Sequence, residues 1–268
     1  MLINGEPGNT ISIRDRGLLY GDGVFRTLIV RQGRPQHWPL HYRKLQHDCA
    51  ALDITCPDFE SLTAELKSLS DTHPDATFKV IVTRGLSARG YAPDPHAVPT
   101  HIWDASPMPA YPDNWKKLGV VLRLCQLRLG HQPKLAGIKH LNRLENVLAA
   151  AECVDAAEGI LLDTDGHVIE GTRSNVFLIS RGCLVTPDLS RCGVAGVQRD
   201  RVMSSAKEHG MPVEVRDVEL DELRAADELF LTNSVFGLWP VAQFEERCWT
   251  NFSQAVRIRA WLEGADHG

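Results

Sequence analysis

Three prolines stand close together near the middle of the chain, at positions 107, 109 and 112. Proline has no backbone N–H and its ring clashes with a preceding helical turn, so neither a helix interior nor a central strand accommodates such a cluster. Apolar runs typical of strands lie on both sides of it. The cluster therefore predicts a linker over 106–114 that separates a small unit, 1–105, from a larger one, 115–268.

The smaller part alternates between two kinds of apolar pattern. The runs at 24–30, 78–83 and 101–105 have the composition of strands, whereas the apolar spacing over 39–52 and 59–69 is helical. This alternation predicts a small α/β domain.

The larger part has many short strand patterns and few helical ones. The predicted strands cover 119–125, 159–163, 167–169, 175–180, 183–186, 213–217, 228–232 and 237–242, and the predicted helices cover about 141–154, a segment from about 196, and 252–262. Short, closely spaced strands predict a curved, barrel-like sheet. The fold class is then a two-domain mixed α/β (α+β) protein, and a cleft between two such domains is a preferred place for a small-molecule site.

Composition excludes several functional classes. The formal net charge is −5 without a long block of one sign, so a nucleic-acid partner is not expected. No apolar run is long enough for a membrane span, and no signal-peptide pattern follows Met1. The seven cysteines form no Cys-x-x-Cys pair and have no zinc-site spacing, which favours reduced packing thiols. We expect a cytoplasmic protein with a small-molecule substrate and no metal or membrane partner.

One lysine stands out among the eight in the chain. Lys139 follows the small, uncharged segment 135–138 and precedes the predicted helix, in which Leu141, Leu144 and Leu148 would form one apolar stripe. Projection from such a buried element would lower the pKa of the ammonium group, as a Schiff-base lysine requires. A lysine at a helix start that reaches solvent is the simpler alternative, and spacing alone favours it.

Glycines at 193 and 196 form a turn that runs into the helical pattern from Val197. Backbone N–H groups at a helix N-terminus bind anions, although an ordinary turn has the same pattern. The turn lacks both the P-loop and the dinucleotide-binding spacing. Ser234, in the turn after the strand pattern 228–232, could supply a hydroxyl donor to the same anion or belong to a plain turn.

Two further segments carry charged residues where a ligand could use them. Glu170 follows the strand pattern 167–169 and is either solvated, paired with an arginine, or placed to hold a protonated pyridine nitrogen. The loop 84–91 contains Arg84, Arg89 and Tyr91, which suit either recognition of a carboxylate or a solvent-exposed loop.

Taken in chain order, these segments resemble the class IV aminotransferases, which are the pyridoxal-phosphate (PLP) enzymes of fold type IV. Segment 20–25 (YGDGVF) is similar to the first motif of that family, 41–45 (HYRKL) to its helix with a phosphate-binding arginine, and 170–177 (EGTRSNVF) to its signature strand pair. The resemblance spans nearly the whole chain. Segments 135–145 and 84–91 are most similar to the branch that cleaves 4-amino-4-deoxychorismate, and less similar to transaminases.

The resemblance implies PLP as cofactor, a homodimer, and a function for each matching residue. Lys139 matches the catalytic lysine that binds the cofactor aldehyde, and Glu170 matches the carboxylate that faces the pyridine nitrogen. The residues that match the phosphate site are Arg43, Gly196, Val197 and Ser234.

Four residues match substrate-binding positions of the family. Phe25 and Thr27 share one face of a strand because of its period of two, and they match positions that line the pocket. Arg89 and Tyr91 match positions at which D-amino-acid transaminases hold a carboxylate. Arg26 departs from the family, where a smaller or acidic residue is common, and its side chain is expected to face away from Phe25.

The implied activity is a PLP-dependent lyase reaction of folate biosynthesis that yields 4-aminobenzoate and pyruvate, with Lys139 as the base. A D-amino-acid or branched-chain transaminase of the same fold would use the same lysine and need a 2-oxo acid as amino acceptor. The other alternative is a PLP-binding protein without turnover. Arg89 and Tyr91 argue against it, because such a protein needs no clamp for a substrate carboxylate.

Overall fold

The computed structural model describes residues 1–87 and 89–264. It divides into two compact units, one made of Met1–Ala110 with Ile138–Asn142, the other made of Tyr111–Gly137 with the chain from Arg143 onward. Each unit has its own sheet and its own apolar core. The predicted mixed α/β class is therefore confirmed.

The first unit is an antiparallel sheet in the strand order β2-β1-β6-β5-β3-β4. Its strands are β1 (Leu2–Ile3), β2 (Glu6–Pro7), β3 (Gly23–Arg31), β4 (Arg34–Pro35), β5 (Ala76–Thr83) and β6 (Thr100–Pro107), and its helices are α1 (Arg16–Tyr20), α2 (Trp38–Ala51) and α3 (Phe59–Thr72). The predictions at 24–30, 39–52, 59–69, 78–83 and 101–105 are confirmed, whereas the sequence patterns missed α1 and the two-residue strands.

Alternation along β3 decides which of its side chains meet the helices. Val24, Leu28 and Val30 are fully buried in one core with Leu45 of α2 and Leu62 of α3. Successive side chains of a strand point to opposite faces, so the residues between them point away from the helices. One face of the sheet thus builds the core, and the other carries Phe25 and Thr27.

The second unit has a larger sheet in the strand order β12-β11-β10-β13-β14-β7-β8-β9, with β15 paired to β14. Its strands are β7 (Val120–Leu129), β8 (Glu158–Asp163), β9 (Val168–Gly171), β10 (Asn175–Ser180), β11 (Cys183–Pro187), β12 (Val213–Arg216), β13 (Glu228–Asn233), β14 (Gly237–Phe244) and β15 (Arg247–Cys248). Its helices are α4 (Trp115–Leu118), α5 (Leu144–Ala151), α6 (Val197–Glu208), α7 (Leu220–Ala225) and α8 (Ser253–Gly264).

The sheet of the second unit curls on itself. β9 stands at one end of the strand order, yet it also contacts β10 and β11, which lie near the other end. Both faces are apolar: Phe177 and Phe230 pack with α6 and α8, whereas Val176 and Trp239 pack in the core on the other face. The predicted barrel-like sheet is confirmed.

The observed division differs from the linear boundaries 1–105 and 115–268. β6 continues into the predicted linker 106–114, because Pro107 still pairs with Ala76 of β5. In addition, Ile138–Asn142 belongs to the first unit. The reason is hydrogen bonding to β3, which a boundary drawn along the sequence does not anticipate.

The helix predicted at about 141–154 was wrong at its start and in its buried face. α5 begins at Leu144, and Leu141 precedes it in an extended segment. Leu144 and Leu148 are 74% and 60% exposed, whereas the fully buried residue of α5 is Ala149. No helix within 1–87 and 89–264 combines the length and the hydropathy that crossing a membrane requires.

Candidate active site

Lys139 lies in an extended segment beside β3, not at the start of a helix. The Phe25 N–H donates to the Lys139 carbonyl at 2.9 Å, and the Leu141 N–H donates to the Gly23 carbonyl at 2.9 Å. Ile138, directly before it, is buried in the core of the first unit. The backbone around Lys139 is therefore fixed by hydrogen bonds to β3.

The Lys139 amine lies on the face of the first unit's sheet that carries Phe25 and Thr27. Its Nζ is 4.6 Å from the centroid of the Phe25 ring. Phe25 and Thr27 are half-buried on this face, whereas Val24 and Leu28, on either side of them in the sequence, are buried against the helices. Phe25 and Thr27 thus share one face of β3, as the period of two predicted, and the Lys139 amine lies beside Phe25.

A second amine, which the sequence analysis passed over, lies near the same ring. Lys79 Nζ is 5.7 Å from the Phe25 centroid, and Lys79 pairs with Thr27 across β5 and β3. The side chain is exposed. Its position could have been found only from the strand register.

The segment 84–91 is held by Arg16, a buried residue of α1. Its guanidinium donates to the carbonyls of Gly90 at 3.0 Å and Tyr91 at 2.7 Å, and to the Ser87 hydroxyl at 3.1 Å. No local sequence pattern points to this anchor, because its partners lie more than 70 residues away along the chain.

Asp22 joins Arg16 to the start of the same loop. Arg16 Nε and Arg84 Nε donate to Asp22 Oδ2 at 2.7 and 2.8 Å. Burial raises the pKa of Asp22, but hydrogen bonds and charge from Arg84 and Arg16 outweigh burial and leave the pKa below its ordinary value. Arg84, considered for the substrate carboxylate, is thus engaged in anchoring the loop.

The two residues assigned to the substrate carboxylate remain accessible. Arg89 is exposed, and the Tyr91 side chain is 85% exposed with its ring centroid 5.3 Å from that of Tyr20. The backbone is held at Gly90 and Tyr91 while the side chains face solvent. Ala88, within this loop, lies outside the described residues. Their assignment to the substrate carboxylate stays a prediction.

Helix α2 places the predicted phosphate arginine on its solvent side. The buried residues of α2 are Trp38, His41, Leu45, Asp48 and Cys49. Arg43 is exposed opposite them, whereas Lys44 is half-buried and lies one turn before Asp48. The assignment of Arg43 to the phosphate stays a prediction, and the helix geometry favours Lys44 as the cation nearer to the buried face.

In the second unit, Glu170 is a buried carboxylate and not a solvated strand end. It is 3% exposed in β9, and its Oε2 accepts the Val194 N–H at 2.8 Å. Gly193, before Val194, has φ +86°, and a Cβ there would lie 2.7 Å from Ile169 Cγ2. Only glycine fits this turn, which brings a backbone N–H to the carboxylate.

Gly196 begins α6 without a side-chain cap. Its N–H donates to Asn175 Oδ1 at 3.1 Å, and a Cβ on Gly196 would lie 2.5 Å from that oxygen. The Asn175 amide also donates to the Val194 carbonyl at 2.7 Å. Asn175, to which the sequence analysis gave no function, therefore clamps the turn before Val197, the first residue of this 12-residue helix.

Ser234 lies at the same end of the second unit's sheet as Asn175. Asn175 pairs with Thr232 in the β10–β13 ladder, and Ser234 follows two residues later. Asn233 Oδ1 accepts the N–H groups of Val235 and Phe236 at 2.9 Å, which holds the turn. Ser234 itself is half-buried.

These groups fit a phosphorylated pyridine aldehyde. A buried carboxylate can keep a ring nitrogen protonated, and an uncapped helix N-terminus with a nearby hydroxyl suits a phosphate. The first unit supplies a primary amine for the aldehyde. Each of the three chemical requirements of PLP is thus met by side chains or backbone of this chain.

The comparison with known proteins agrees with this chemistry. The sequence profile of the family described as amino-transferase class IV matches residues 23–244. The chain belongs to this family. Lys139, Glu170 and Gly193 all lie within the matched residues. The resemblance found from the sequence is confirmed.

Three class IV aminotransferase relatives are similar to this chain over most of its length, and two of them are described as lyases of aminodeoxychorismate. The solved 4-amino-4-deoxychorismate lyase of Pseudomonas aeruginosa is 46% identical, with a TM-score of 0.94 over 98% of each chain. The aminodeoxychorismate lyase of Vibrio harveyi is 36% identical over 242 residues, which is 90% of this chain and 89% of that protein. The putative branched-chain-amino-acid aminotransferase of Methanocaldococcus jannaschii is 32% identical over 92% of this chain and 86% of that protein.

Proposed function

We propose that this chain is a PLP-dependent lyase that converts 4-amino-4-deoxychorismate to 4-aminobenzoate and pyruvate. The observation that carries the proposal is full-length similarity to two proteins described as lyases of this substrate. The Lys139 amine beside Phe25 gives the reaction its base.

PLP, when bound, supplies an aldehyde for the substrate amine and a ring that draws electrons from the adjacent carbon. Glu170, a buried carboxylate, would hold the pyridine nitrogen of PLP and keep it protonated. The N–H groups at the start of α6 and the Ser234 hydroxyl bind the phosphate, and α2 contributes a cation from Arg43 or Lys44.

Lys139 moves the proton on which the reaction depends. Its neutral amine removes the hydrogen from the ring carbon that bears the substrate nitrogen. The C–O bond between the ring and the enolpyruvyl group then breaks, and the ring becomes aromatic. The departing enolpyruvate takes up a proton, which Lys139 is placed to return, and becomes pyruvate. No oxidant or second substrate is consumed.

The substrate carries two carboxylates, and the exposed loop of the first unit supplies groups for one of them. Arg89 offers a planar pair of N–H donors that matches a carboxylate, and Tyr91 offers a hydroxyl. Phe25 and Thr27 provide the half-buried surface against which the ring rests.

Incubation of the PLP-loaded protein with 4-amino-4-deoxychorismate alone tests the proposal. We expect 4-aminobenzoate and pyruvate in equal amounts without any added 2-oxo acid. A transaminase, which the similarity to the Methanocaldococcus protein supports as second candidate, would instead consume a 2-oxo acid and form the matching amino acid. Absence of both activities would leave cofactor binding without turnover.

We also infer that the chain forms a homodimer. Apolar side chains are exposed on α1, where Leu18 and Leu19 lie, and on α5, where Leu144 and Leu148 lie. Exposed apolar side chains of this kind are typical of a contact between subunits. Light scattering should give twice the 29.8 kDa mass of the chain, and Leu148→Glu should lower that value if α5 lies in the contact.

A further inference from the structure

A charged pair lies within the apolar core face of the first unit. Arg26 follows Val24 in the buried row of β3, and its guanidinium pairs with the carboxylate of Asp48 on α2. Arg26 is 2% exposed and Asp48 is fully buried. Replacement of such a pair by apolar residues is often neutral or stabilising, because desolvation offsets the attraction. Stability alone therefore does not account for it.

The same carboxylate holds the backbone of the active-site lysine. Asp48 Oδ2, the oxygen that faces Arg26, accepts the Lys139 N–H at 3.1 Å. The Lys139 carbonyl accepts the Phe25 N–H at 2.9 Å. Both polar backbone groups of Lys139 are thus fixed, one by the strand β3 and the other by a side chain of α2.

The surroundings of Asp48 are cationic or neutral. Arg26 faces it from β3, and His47 Nδ1 on its own helix lies 3.4 Å from Oδ1. Lys44 lies one helical turn before Asp48, and the Lys139 N–H donates to the Asp48 carboxylate. Arg26 gives the closest contact, so it is the group that orients this buried carboxylate.

We propose that Arg26 and Asp48 are positioning residues for Lys139. Asp48 fixes the lysine backbone, and Arg26 holds Asp48 in the orientation that accepts the Lys139 N–H. The pair thereby fixes the position of the Lys139 amine beside the Phe25 ring. This inference rests on the proposed function, since it concerns the lysine that binds PLP and transfers the proton.

Four variants test the proposal: Asp48→Ala, Asp48→Asn, Arg26→Met and Arg26→Lys. The measurements are kcat for 4-aminobenzoate formation, KM for 4-amino-4-deoxychorismate, the pH midpoint of the visible absorbance of bound PLP, and the melting temperature without PLP. Asp48→Ala and Arg26→Met should each lower kcat by about 10- to 100-fold, because small misplacement of a reacting group has large effects. KM should change by less than about threefold, and the absorbance midpoint should shift.

The conservative variants separate positioning from folding. Asp48→Asn keeps the size and an acceptor oxygen, so it should retain more of kcat than Asp48→Ala. Arg26→Lys keeps the charge, so it should retain more of kcat than Arg26→Met. Cys49→Ala is the matched control, because Cys49 is fully buried on the same helix and contacts no reacting group in the proposed mechanism. It should lower the melting temperature and leave kcat and the absorbance midpoint unchanged.

Two results would overturn the inference. One is a set of Asp48 and Arg26 variants that melt earlier, as Cys49→Ala does, while kcat and the absorbance midpoint stay at the values of the parent protein. The other applies if Asp48→Ala does not fold: it is Arg26→Met with kcat and the absorbance midpoint both unchanged. Failure of the proposed function appears elsewhere: the PLP-loaded parent protein would then form no 4-aminobenzoate and pyruvate from 4-amino-4-deoxychorismate.

Discussion

The lysine of the first unit and the carboxylate of the second are held in different ways. Lys139 is half-buried. Its backbone is held by the side chain of Asp48, 91 residues earlier in the chain, and by a hydrogen bond to β3. Glu170 lies within a four-residue buried strand and receives its N–H from a glycine turn 24 residues later. The group that must move a proton is a half-buried side chain on a fixed backbone, whereas the group that holds a charge is itself enclosed.

Removal of the lysine should have the largest effect. Lys139→Ala should lower kcat by at least about 1,000-fold, because both the base and the amine that binds the cofactor are lost. The visible absorbance of bound PLP should disappear in the same variant. A borohydride-reducible linkage that persisted would move the function to another lysine, and Lys79 is the first to examine because it shares the Phe25 ring.

Neutralising the enclosed carboxylate should slow the reaction while the cofactor stays bound. Glu170→Gln should lower kcat by about 100-fold, because an amide does not keep the pyridine nitrogen protonated. The dissociation constant of PLP should change little, since the phosphate contacts remain. Glu228→Gln is the control: Glu228 is equally buried but accepts N–H groups at the start of α8. A kcat near that of the parent in Glu170→Gln would make Glu170 a purely structural residue.

The substrate loop should show an effect on KM without an effect on the cofactor. Arg89→Ala should raise KM by about 10-fold, and Arg89→Lys should raise it less, because lysine lacks the planar pair of donors. Arg16→Met should raise KM as well, through the lost carbonyl contacts at Gly90 and Tyr91. The absorbance of bound PLP should stay unchanged in all three. An unchanged kcat/KM in Arg89→Ala would favour the transaminase alternative.

The smallest effect is expected at Asp22. Its pKa is lowered in the folded protein, so its charge stabilises the fold above the ordinary pKa of 3.8 and this contribution is lost as the pH falls through the lowered value. Asp22→Asn should reduce the free energy of unfolding by about 1 kcal/mol at pH 7. Urea unfolding at pH 7, 5 and 3 measures the difference from the parent protein. A difference that grew toward pH 3 would contradict the assignment.

Local patterns in the sequence determined much of this protein. The alternation in β3 predicted that Phe25 and Thr27 share a face, and Gly193 and Gly196 marked the turn before α6. Each depends on a few neighbouring residues, through strand geometry or through a backbone angle that only glycine adopts readily. The motifs of the class IV family are of the same kind, since each is a short segment with its own chemistry.

Only the tertiary structure decided which distant groups meet. The sequence marked Arg26 merely as a departure, whereas the fold pairs it with Asp48 and joins both to the Lys139 backbone. Likewise Arg16 holds the loop at Gly90 and Tyr91, and the leucines of α5 are exposed where their spacing suggested a buried stripe. Apolar spacing shows that a helix has two faces, but which face is covered depends on the elements that pack against it. Pairing between residues far apart in the chain is set by strand order and register, and neither is contained in a local pattern.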